Sequence, residues 1–268
     1  MATRFILLAT QRTGSTWVRE MLNSHPDMKV YGELFLRDAQ GTPLWEPSDI
    51  QFANAFLEER ARQPKAVTRR YWTIKLLDRI FDQRTVRAVG FKLMYHQALY
   101  SPEILPYAAV KRIAVVHLVR RNLLDVMISS KLAEASGVYH VATDDRPTLS
   151  SGSVALTDLK IRLEPAEVIQ TLKRLAREVR MARAWLRMTR TPTCEVEYEE
   201  LIATPMELGR VLNFLGLEHG AASDLRSALQ RRNASPRSEV IENFAEIERS
   251  LSGTPFESFV LDRHTRRA

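Results

Sequence analysis

The segment TQRTGSTW, residues 10–17, places an arginine, a glycine and several hydroxyl side chains directly after the apolar run RFILLA. Gly14 lets the backbone approach a ligand closely or adopt a positive φ. If a helix begins there, its first N–H groups lack partners within the helix and, with the helix dipole, favour a phosphate or sulfate. Arg12 adds a planar cation that can bridge two anionic oxygens. Further donors are the hydroxyls of Thr13, Ser15 and Thr16 and the backbone up to Trp17.

The segment therefore predicts an anion-binding loop, and its composition limits which anion it binds. It lacks the lysine that a Walker A loop carries after its last glycine, and Arg12 lies earlier instead. No obvious Walker B acid ends the run RIAVVHLV, which also counts against a P-loop kinase. The structural alternative is an ordinary strand–helix turn whose Ser and Thr side chains cap the helix.

A second basic motif is VVHLVRRNLLDVMISS, in which Arg120 and Arg121 directly follow an apolar strand pattern ending at Val119. Ser129 lies eight residues after Arg121, about two helical turns along. An arginine at a strand end and a serine on the next helix can converge on one phosphate. The alternative is a basic loop followed by a serine that faces solvent.

Candidate acid–base residues are few. Lys92 lies near the end of the strand pattern AVGFKLM, where it could contact a bound anion, and His96 follows shortly after it. A solvated or structural lysine is the alternative role for Lys92. His117 lies within a core strand pattern, which favours a packed core histidine, whereas His140 lies in a long polar segment and could contact substrate. No His, Cys and Asp cluster has metal-ligand spacing, so no metal is expected.

Strand and helix patterns alternate along the chain, which predicts an α/β fold with a mostly parallel sheet. Ligands in such sheets bind at the carboxyl ends of the strands, where both motifs lie. The motif TPMELGRVLNFLGL predicts a helix capped by Thr204, with Pro205 and Glu207 in its first turn. Predicted strands are Phe5–Ala9, Met28–Tyr31, Ala88–Met94, Arg112–Val119 and a short one in CEVEYEEL. Predicted helices span 14–23, 47–80 with a break near Pro64, 122–135 and 165–188.

Length and composition predict one domain over residues 1–268, since 45% apolar and 26% charged residues are globular values. Residues 136–163 lack a helical or strand period and predict a functional loop or lid. One cysteine, Cys194, excludes an internal disulfide and a multi-cysteine metal site. No signal peptide or membrane span is visible, so we expect a cytoplasmic protein.

The net charge of +7 indicates an anionic partner, but the basic residues are scattered and no run reaches five. A nucleic-acid footprint is normally a clustered patch, so no nucleic acid is expected as a partner. A small phosphorylated molecule remains the simpler expectation. Homodimerisation is left open.

Together the two motifs resemble the sulfotransferases that use 3′-phosphoadenosine 5′-phosphosulfate (PAPS). Four further segments are similar to bacterial carbohydrate sulfotransferases of the nodulation-factor and trehalose-modifying types: NSHPDMKVYGELF, GFKLMYHQ, VEYEELIATPMELGRVLNFLGL and LQRRNASPRSEVIENFAEI. The similarity runs from about Phe5 to about Phe259 and is weak over residues 40–85 and 136–163. It implies a P-loop-like three-layer sandwich, a short parallel sheet flanked by helices.

Carried over by position, the resemblance assigns roles to individual residues. Arg121 and Ser129 would bind the 3′-phosphate, and Glu33 lies where the trehalose-modifying type has its proposed general base. The chain departs from the cytosolic arylsulfotransferases, which carry Lys in the first loop and Pro after the Arg-Asn pair of the second motif, where this chain has Arg12 and Leu123. The 5′-phosphosulfate would be bound by Arg12, Thr13, Gly14, Ser15, Thr16 and Trp17.

The resulting expectation is a PAPS-dependent sulfotransferase that sulfates a hydroxyl of a carbohydrate or glycolipid-like acceptor without a metal. Glu33 is the expected general base, with Arg12 stabilising charge and Lys92 and His96 as further catalytic candidates. A solvated loop glutamate beside Gly32 is the alternative role for Glu33. The competing functions are a P-loop kinase and a non-catalytic anion-binding or nucleic-acid-binding protein.

Overall fold

The computed structural model describes residues 2–36, 53, 56, 58–63, 65–136, 159–227 and 236–261. The chain forms two compact units. The first comprises Met1–Val119 and Met181–Ser227, and the second comprises Arg120–Arg180 and Ala228–Ala268. Most of the predicted loop over 136–163, including His140, lies outside the described residues. The single domain over 1–268 stays a prediction.

The first unit contains a five-stranded parallel sheet with strand order β2-β3-β1-β4-β5. The central strands β1, β3 and β4 are apolar on both faces and almost wholly buried, as expected of a parallel sheet covered by helices. The strands are Thr3–Ala9 (β1), Met28–Tyr31 (β2), Ala88–Met94 (β3), Ala114–Val119 (β4) and Thr193–Glu197 (β5). The predicted α/β fold with a short parallel sheet is confirmed.

Ten α-helices have described bounds, and three short 3-10 helices accompany them at Pro205–Glu207, His219–Asp224 and Glu257–Phe259. Residues 58–62 are also helical. The helices are Ser15–Asn23 (α1), Ala66–Phe81 (α2), Tyr95–Tyr100 (α3), Ile104–Val110 (α4), Leu123–Ser136 (α5), Pro165–Met188 (α6), Tyr198–Ala203 (α7), Leu208–Phe214 (α8), Arg237–Val240 (α9) and Phe244–Leu251 (α10).

Helices cover both faces of the sheet. Side chains alternate between the faces along each strand, so Leu7 and its register partner Lys92 share one face, and Leu8 and its partner His117 share the other. Apolar residues of α1 and α8 join the core on the Leu7 face. On the opposite face the ring of Phe91 lies 5.8–6.0 Å from those of Phe35 and Phe81, the last residue of α2. The three layers expected from the family resemblance are present.

The second unit has its own apolar core, built from α5, the first part of α6, α9 and α10. Asn122 caps α5, because its side-chain oxygen accepts the backbone N–H groups of Leu124 at 3.0 Å and Asp125 at 3.3 Å. The Asp125 carboxylate in turn binds Arg237 at 2.9 Å and Arg120 at 3.2 Å. Buried ion pairs and a side-chain cap therefore fix the start of α5.

Two predicted boundaries are wrong, for local backbone reasons. The strand predicted from Arg112 begins at Ala114, since Arg112 has a left-handed φ of 49°, which is incompatible with a strand. Thr204 does not cap the next helix. Its N–H closes α7 by donating to the Glu200 carbonyl at 2.8 Å, and its carbonyl accepts the Glu207 N–H at 2.9 Å in a tight turn. The helix α8 begins only at Leu208.

Candidate active site

The loop between β1 and α1 has the backbone of an anion-binding turn. Arg12 and Gly14 both adopt left-handed conformations, with φ of 63° and 82°, and Gly14 is the N-cap of α1. The first bond of the helix runs from the Val18 N–H to the Gly14 carbonyl at 3.0 Å. The preceding N–H groups, from Ser15 to Trp17, lie ahead of that bond at the positive end of the helix dipole, where phosphate and sulfate bind.

A tyrosine that sequence reasoning missed supports this loop. A methyl group added at Gly14 would overlap the ring of Tyr198, so this position requires glycine for space as well as for its φ. Tyr198 is 8% exposed and meets Trp17 edge to face, with ring centroids 6.4 Å apart. Tyr198 follows β5 directly, so its position at the carboxyl edge of the sheet was the available signal.

Two hydroxyl side chains of the loop make different contacts: Thr13 bonds within the turn, and Thr16 bonds to Lys92. The Thr13 hydroxyl donates to the Thr10 carbonyl at 2.8 Å, and Thr13 is 1% exposed, so this hydroxyl stabilises the turn itself. Ser15 is also buried. The Thr16 hydroxyl accepts a hydrogen bond at 2.8 Å from the Lys92 ammonium, which connects the loop to β3.

Lys92 is the centre of the candidate site. Its side chain is 1% exposed, and a buried ammonium must have charged or polar partners to offset its desolvation. Its Nζ lies 3.0 Å from Glu33 Oε1 and 2.8 Å from Thr16 Oγ1. The structure thus brings together three residues that the sequence assigned to the site, from β3, from the segment after β2 and from α1.

Gln97, which the sequence did not single out, completes the surroundings of Glu33. Its Nε2 donates to Glu33 Oε2 at 2.6 Å, and its Oε1 accepts the Met94 N–H at 3.2 Å. Both oxygens of the Glu33 carboxylate therefore have a donor, one cationic and one neutral. The motif KLMYHQ ends β3 and enters α3, so a polar side chain one turn beyond the strand was the available signal.

His96 lies on α3 between Tyr95 and Gln97. It is half-buried, and its ring meets Tyr100 at a centroid distance of 6.4 Å. The neighbouring residue Gln97 makes the contact with Glu33. Any catalytic role of His96 stays a prediction.

The other face of the sheet carries a separate polar chain around His117. This histidine is fully buried, as the sequence predicted, but both ring nitrogens are hydrogen-bonded: Nε2 to the Tyr95 hydroxyl at 2.6 Å and Nδ1 to Glu195 at 3.0 Å. Arg183 of α6 forms two bonds to the same carboxylate, at 2.8 and 2.9 Å. The hydrogen bond from His117, together with Arg183, lowers the pKa of Glu195 to about 2.

The ionised state of Glu195 sets the direction of this chain. A carboxylate only accepts, so His117 donates from Nδ1 to Glu195, and its Nε2 shares the other hydrogen bond with the Tyr95 hydroxyl. This proton assignment follows from the hydrogen-bond network. The chain connects α3 through β4 and β5 to α6, entirely on the face opposite Lys92.

The residues predicted to bind a 3′-phosphate belong to the second unit. Arg121 is exposed and directly precedes the Asn122 cap of α5, and Ser129 is half-buried in the second turn of that helix. The cap and the Asp125 ion pairs fix the backbone between them.

Among the described residues, no group of three or more His, Cys, Asp or Glu side chains is placed to hold a metal ion. Over the same part of the chain, no helix is both long and apolar enough to cross a membrane. That the reaction needs no metal stays a prediction.

Comparison with known proteins identifies the family. A sequence model described as "Sulfotransferase family" matches residues 5–221. The chain belongs to the sulfotransferase family. Nodulation protein H of Rhizobium tropici is 24% identical to this sulfotransferase over 258 residues, 95% of this chain and 92% of the relative. Nodulation protein H of Rhizobium meliloti strain 1021 is 24% identical over 259 residues, 95% of this chain and 94% of the relative.

Solved structures with a similar fold are also sulfotransferases. One is the sulfotransferase from Alicyclobacillus acidocaldarius, with a TM-score of 0.47, 16% identity and full coverage of both chains. Another is mouse sulfotransferase SULT7A1 complexed with PAP, with a TM-score of 0.40, 14% identity and coverage of 96% of this chain and 74% of the other. The family assignment itself rests on the sequence match. It confirms the predicted enzyme class over the kinase and the non-catalytic binding protein.

We predict that Glu195→Gln flattens the acid dependence of stability. The pKa of Glu195 in the folded chain, about 2, lies below its ordinary value of 4.5, so the ionised carboxylate stabilises the fold above pH 4.5. That stabilisation is lost as the pH falls from 4.5 towards 2. The variant should therefore be less stable than wild type at pH 7, and should lose less stability between pH 5 and pH 3, as measured by urea unfolding.

The matched control for this prediction is Glu164→Gln, which removes an exposed carboxylate next to α6. It should follow the wild-type curve at every pH. A Glu195→Gln variant that loses as much stability as wild type between pH 5 and pH 3 would contradict the assignment of the chain.

Proposed function

We propose that this sulfotransferase transfers the sulfuryl group of PAPS to a hydroxyl of a carbohydrate or glycolipid-like acceptor, with Glu33 as general base. The observation that carries the proposal is the buried Lys92, which binds both Thr16 of the anion loop and Glu33. A carboxylate thus lies beside the helix N-terminus that suits a phosphosulfate. The family supports PAPS as donor, and the resemblance to carbohydrate-modifying members supports the acceptor class.

The donor is proposed to bind through backbone groups and arginines. The N–H groups from Ser15 to Trp17, with Arg12, would hold the 5′-phosphosulfate. Gly14 leaves room for the Tyr198 ring beside the loop, since any side chain at this position would overlap that ring. Arg121 and Ser129 would hold the 3′-phosphate, as their spacing and the family resemblance imply.

The chemistry is an in-line displacement at sulfur. The acceptor oxygen forms a bond to sulfur while the bond between sulfur and the bridging phosphate oxygen breaks, and the hydroxyl proton passes to the Glu33 carboxylate. The products are a sulfate ester and adenosine 3′,5′-bisphosphate. Arg12 and the loop N–H groups would stabilise the charge that develops on the leaving oxygen. The sulfuryl group carries less charge than a phosphoryl group, so these groups suffice without a metal.

Lys92 serves this reaction through Glu33. The ammonium, 3.0 Å from Glu33 Oε1, holds that carboxylate oxygen in place. Its bond to Thr16 keeps that carboxylate next to the donor loop. Cytoplasmic location, the absence of a nucleic-acid partner and homodimerisation stay predictions from the sequence.

The experiment that tests the donor is a thermal-shift titration with adenosine 3′,5′-bisphosphate, adenosine 5′-monophosphate and ATP–Mg²⁺. Only the bisphosphate carries both the 3′- and the 5′-phosphate. It should therefore raise the melting temperature in the presence of EDTA, and by much more than the monophosphate does. Equal shifts for the two, or a response confined to ATP–Mg²⁺, would reject PAPS as the donor.

For Arg121→Ala, we expect the advantage of the bisphosphate over the monophosphate to disappear. The variant should bind the bisphosphate at least about tenfold more weakly, the scale of one lost charged hydrogen bond, and bind the monophosphate as wild type does. Isothermal titration calorimetry measures both constants. Arg162→Ala, another exposed arginine of the second unit, is the control and should change neither. If Arg121→Ala still prefers the bisphosphate over the monophosphate as strongly as wild type does, the 3′-phosphate binds elsewhere.

For Glu33→Gln, we expect near-normal bisphosphate binding and turnover lower by 10²-fold or more, the typical contribution of a general base. Turnover is measured as transfer of labelled sulfate from PAPS to the sugar that reacts fastest in a panel of hydroxylated mono- and oligosaccharides. Glu164→Gln again serves as the control. A Glu33→Gln enzyme with wild-type turnover would make His96 the next candidate base.

A further inference from the structure

We infer that Gln97 is a positioning residue that orients the Glu33 carboxylate towards the acceptor hydroxyl. The inference rests on the proposed function, in which Glu33 is the base. Gln97 is 1% exposed, and its Nε2 lies 2.6 Å from Glu33 Oε2. It acts on the reaction through Glu33, which accepts its hydrogen bond.

The orientation of the Gln97 amide is fixed at both ends. Its oxygen accepts the backbone N–H of Met94 at 3.2 Å, so its NH₂ group must be the end that faces Glu33. A flipped amide would place its oxygen against a carboxylate oxygen and its NH₂ against an N–H donor. Since Met94 is the last residue of β3, the amide is anchored to the rigid sheet. Gln97 is therefore an obligate donor to Glu33.

Lys92 and Gln97 hold the two oxygens of one carboxylate in different ways. Lys92 supplies the charge, but a single contact at Oε1 would leave the carboxylate free to rotate about its last side-chain bond. The Gln97 bond at Oε2 removes that rotation. Each carboxylate oxygen has two acceptor positions, so lone pairs remain for the acceptor proton.

Removal of Gln97 should therefore lower kcat and leave the KM for PAPS unchanged, because the residue acts on the base and not on the donor. A role limited to packing would disturb kcat and donor binding together, and its effect would persist when Glu33 is replaced.

The test is Gln97→Met, which keeps the side-chain length and removes the donor. With PAPS and the best oligosaccharide of the panel, we expect kcat to fall about tenfold, the lower range for misplaced acid–base groups, with the KM for PAPS within twofold. In the Glu33→Gln background, Gln97→Met should lower kcat no further, since both changes act through one carboxylate.

A matched control is Gln63→Met. Gln63 also donates its side-chain amide to a glutamate, Glu59, at 2.5 Å, in another part of the first unit. This variant removes the same kind of bond and should leave kcat and the KM for PAPS unchanged.

Each outcome decides the inference. Wild-type kcat in Gln97→Met overturns it while the proposed function stands, as does a full tenfold loss in the Glu33→Gln background. If wild type transfers no sulfate from PAPS, both fail together. If Gln97→Met does not fold, Gln97→Asn replaces it. Its amide is one carbon short of Glu33, so kcat should fall by a similar factor, and a wild-type kcat would overturn the inference.

Discussion

The buried ammonium of Lys92 is the interaction on which the candidate site depends. An uncompensated charge at this depth would cost several kcal/mol, so the surrounding chain must supply a carboxylate and an acceptor. Glu33 and the Thr16 hydroxyl meet that need, and they come from separate segments of the first unit. The requirement to neutralise one cation thus draws the segment after β2 and the first turn of α1 to the same strand.

The short helix α3 connects the two faces of the sheet at its carboxyl edge. Its first residue, Tyr95, reaches His117 on one face, and Gln97 reaches Glu33, whose partner Lys92 lies on the other. Residues two apart on a helix point about 200° apart, so a single turn can serve both networks. The polar chain through Glu195 and Arg183 anchors this turn to α6, which makes the support of Glu33 rigid.

Sequence reasoning predicted the backbone features that local pattern encodes. The loop around Gly14 and the strand–helix alternation follow from turn chemistry and apolar runs, and the family resemblance supplied Glu33. Gln97 and Tyr198 were missed, because their roles come from contacts with residues far away in the chain. The prediction that Thr204 caps the next helix was wrong for a different reason. The sequence has the capping pattern, but the N–H of Thr204 closes the preceding helix α7 instead. Local signals predict what a residue can do, and packing decides which option is used.

The ring of Tyr198 beneath Gly14 has a consequence for how the protein is made. The loop before α1 is synthesised almost first, yet the ring that packs against Gly14 follows only after β5. The contact between Gly14 and Tyr198 therefore cannot form until residue 198 has been synthesised, so an early segment of the chain depends on a late one for its packing.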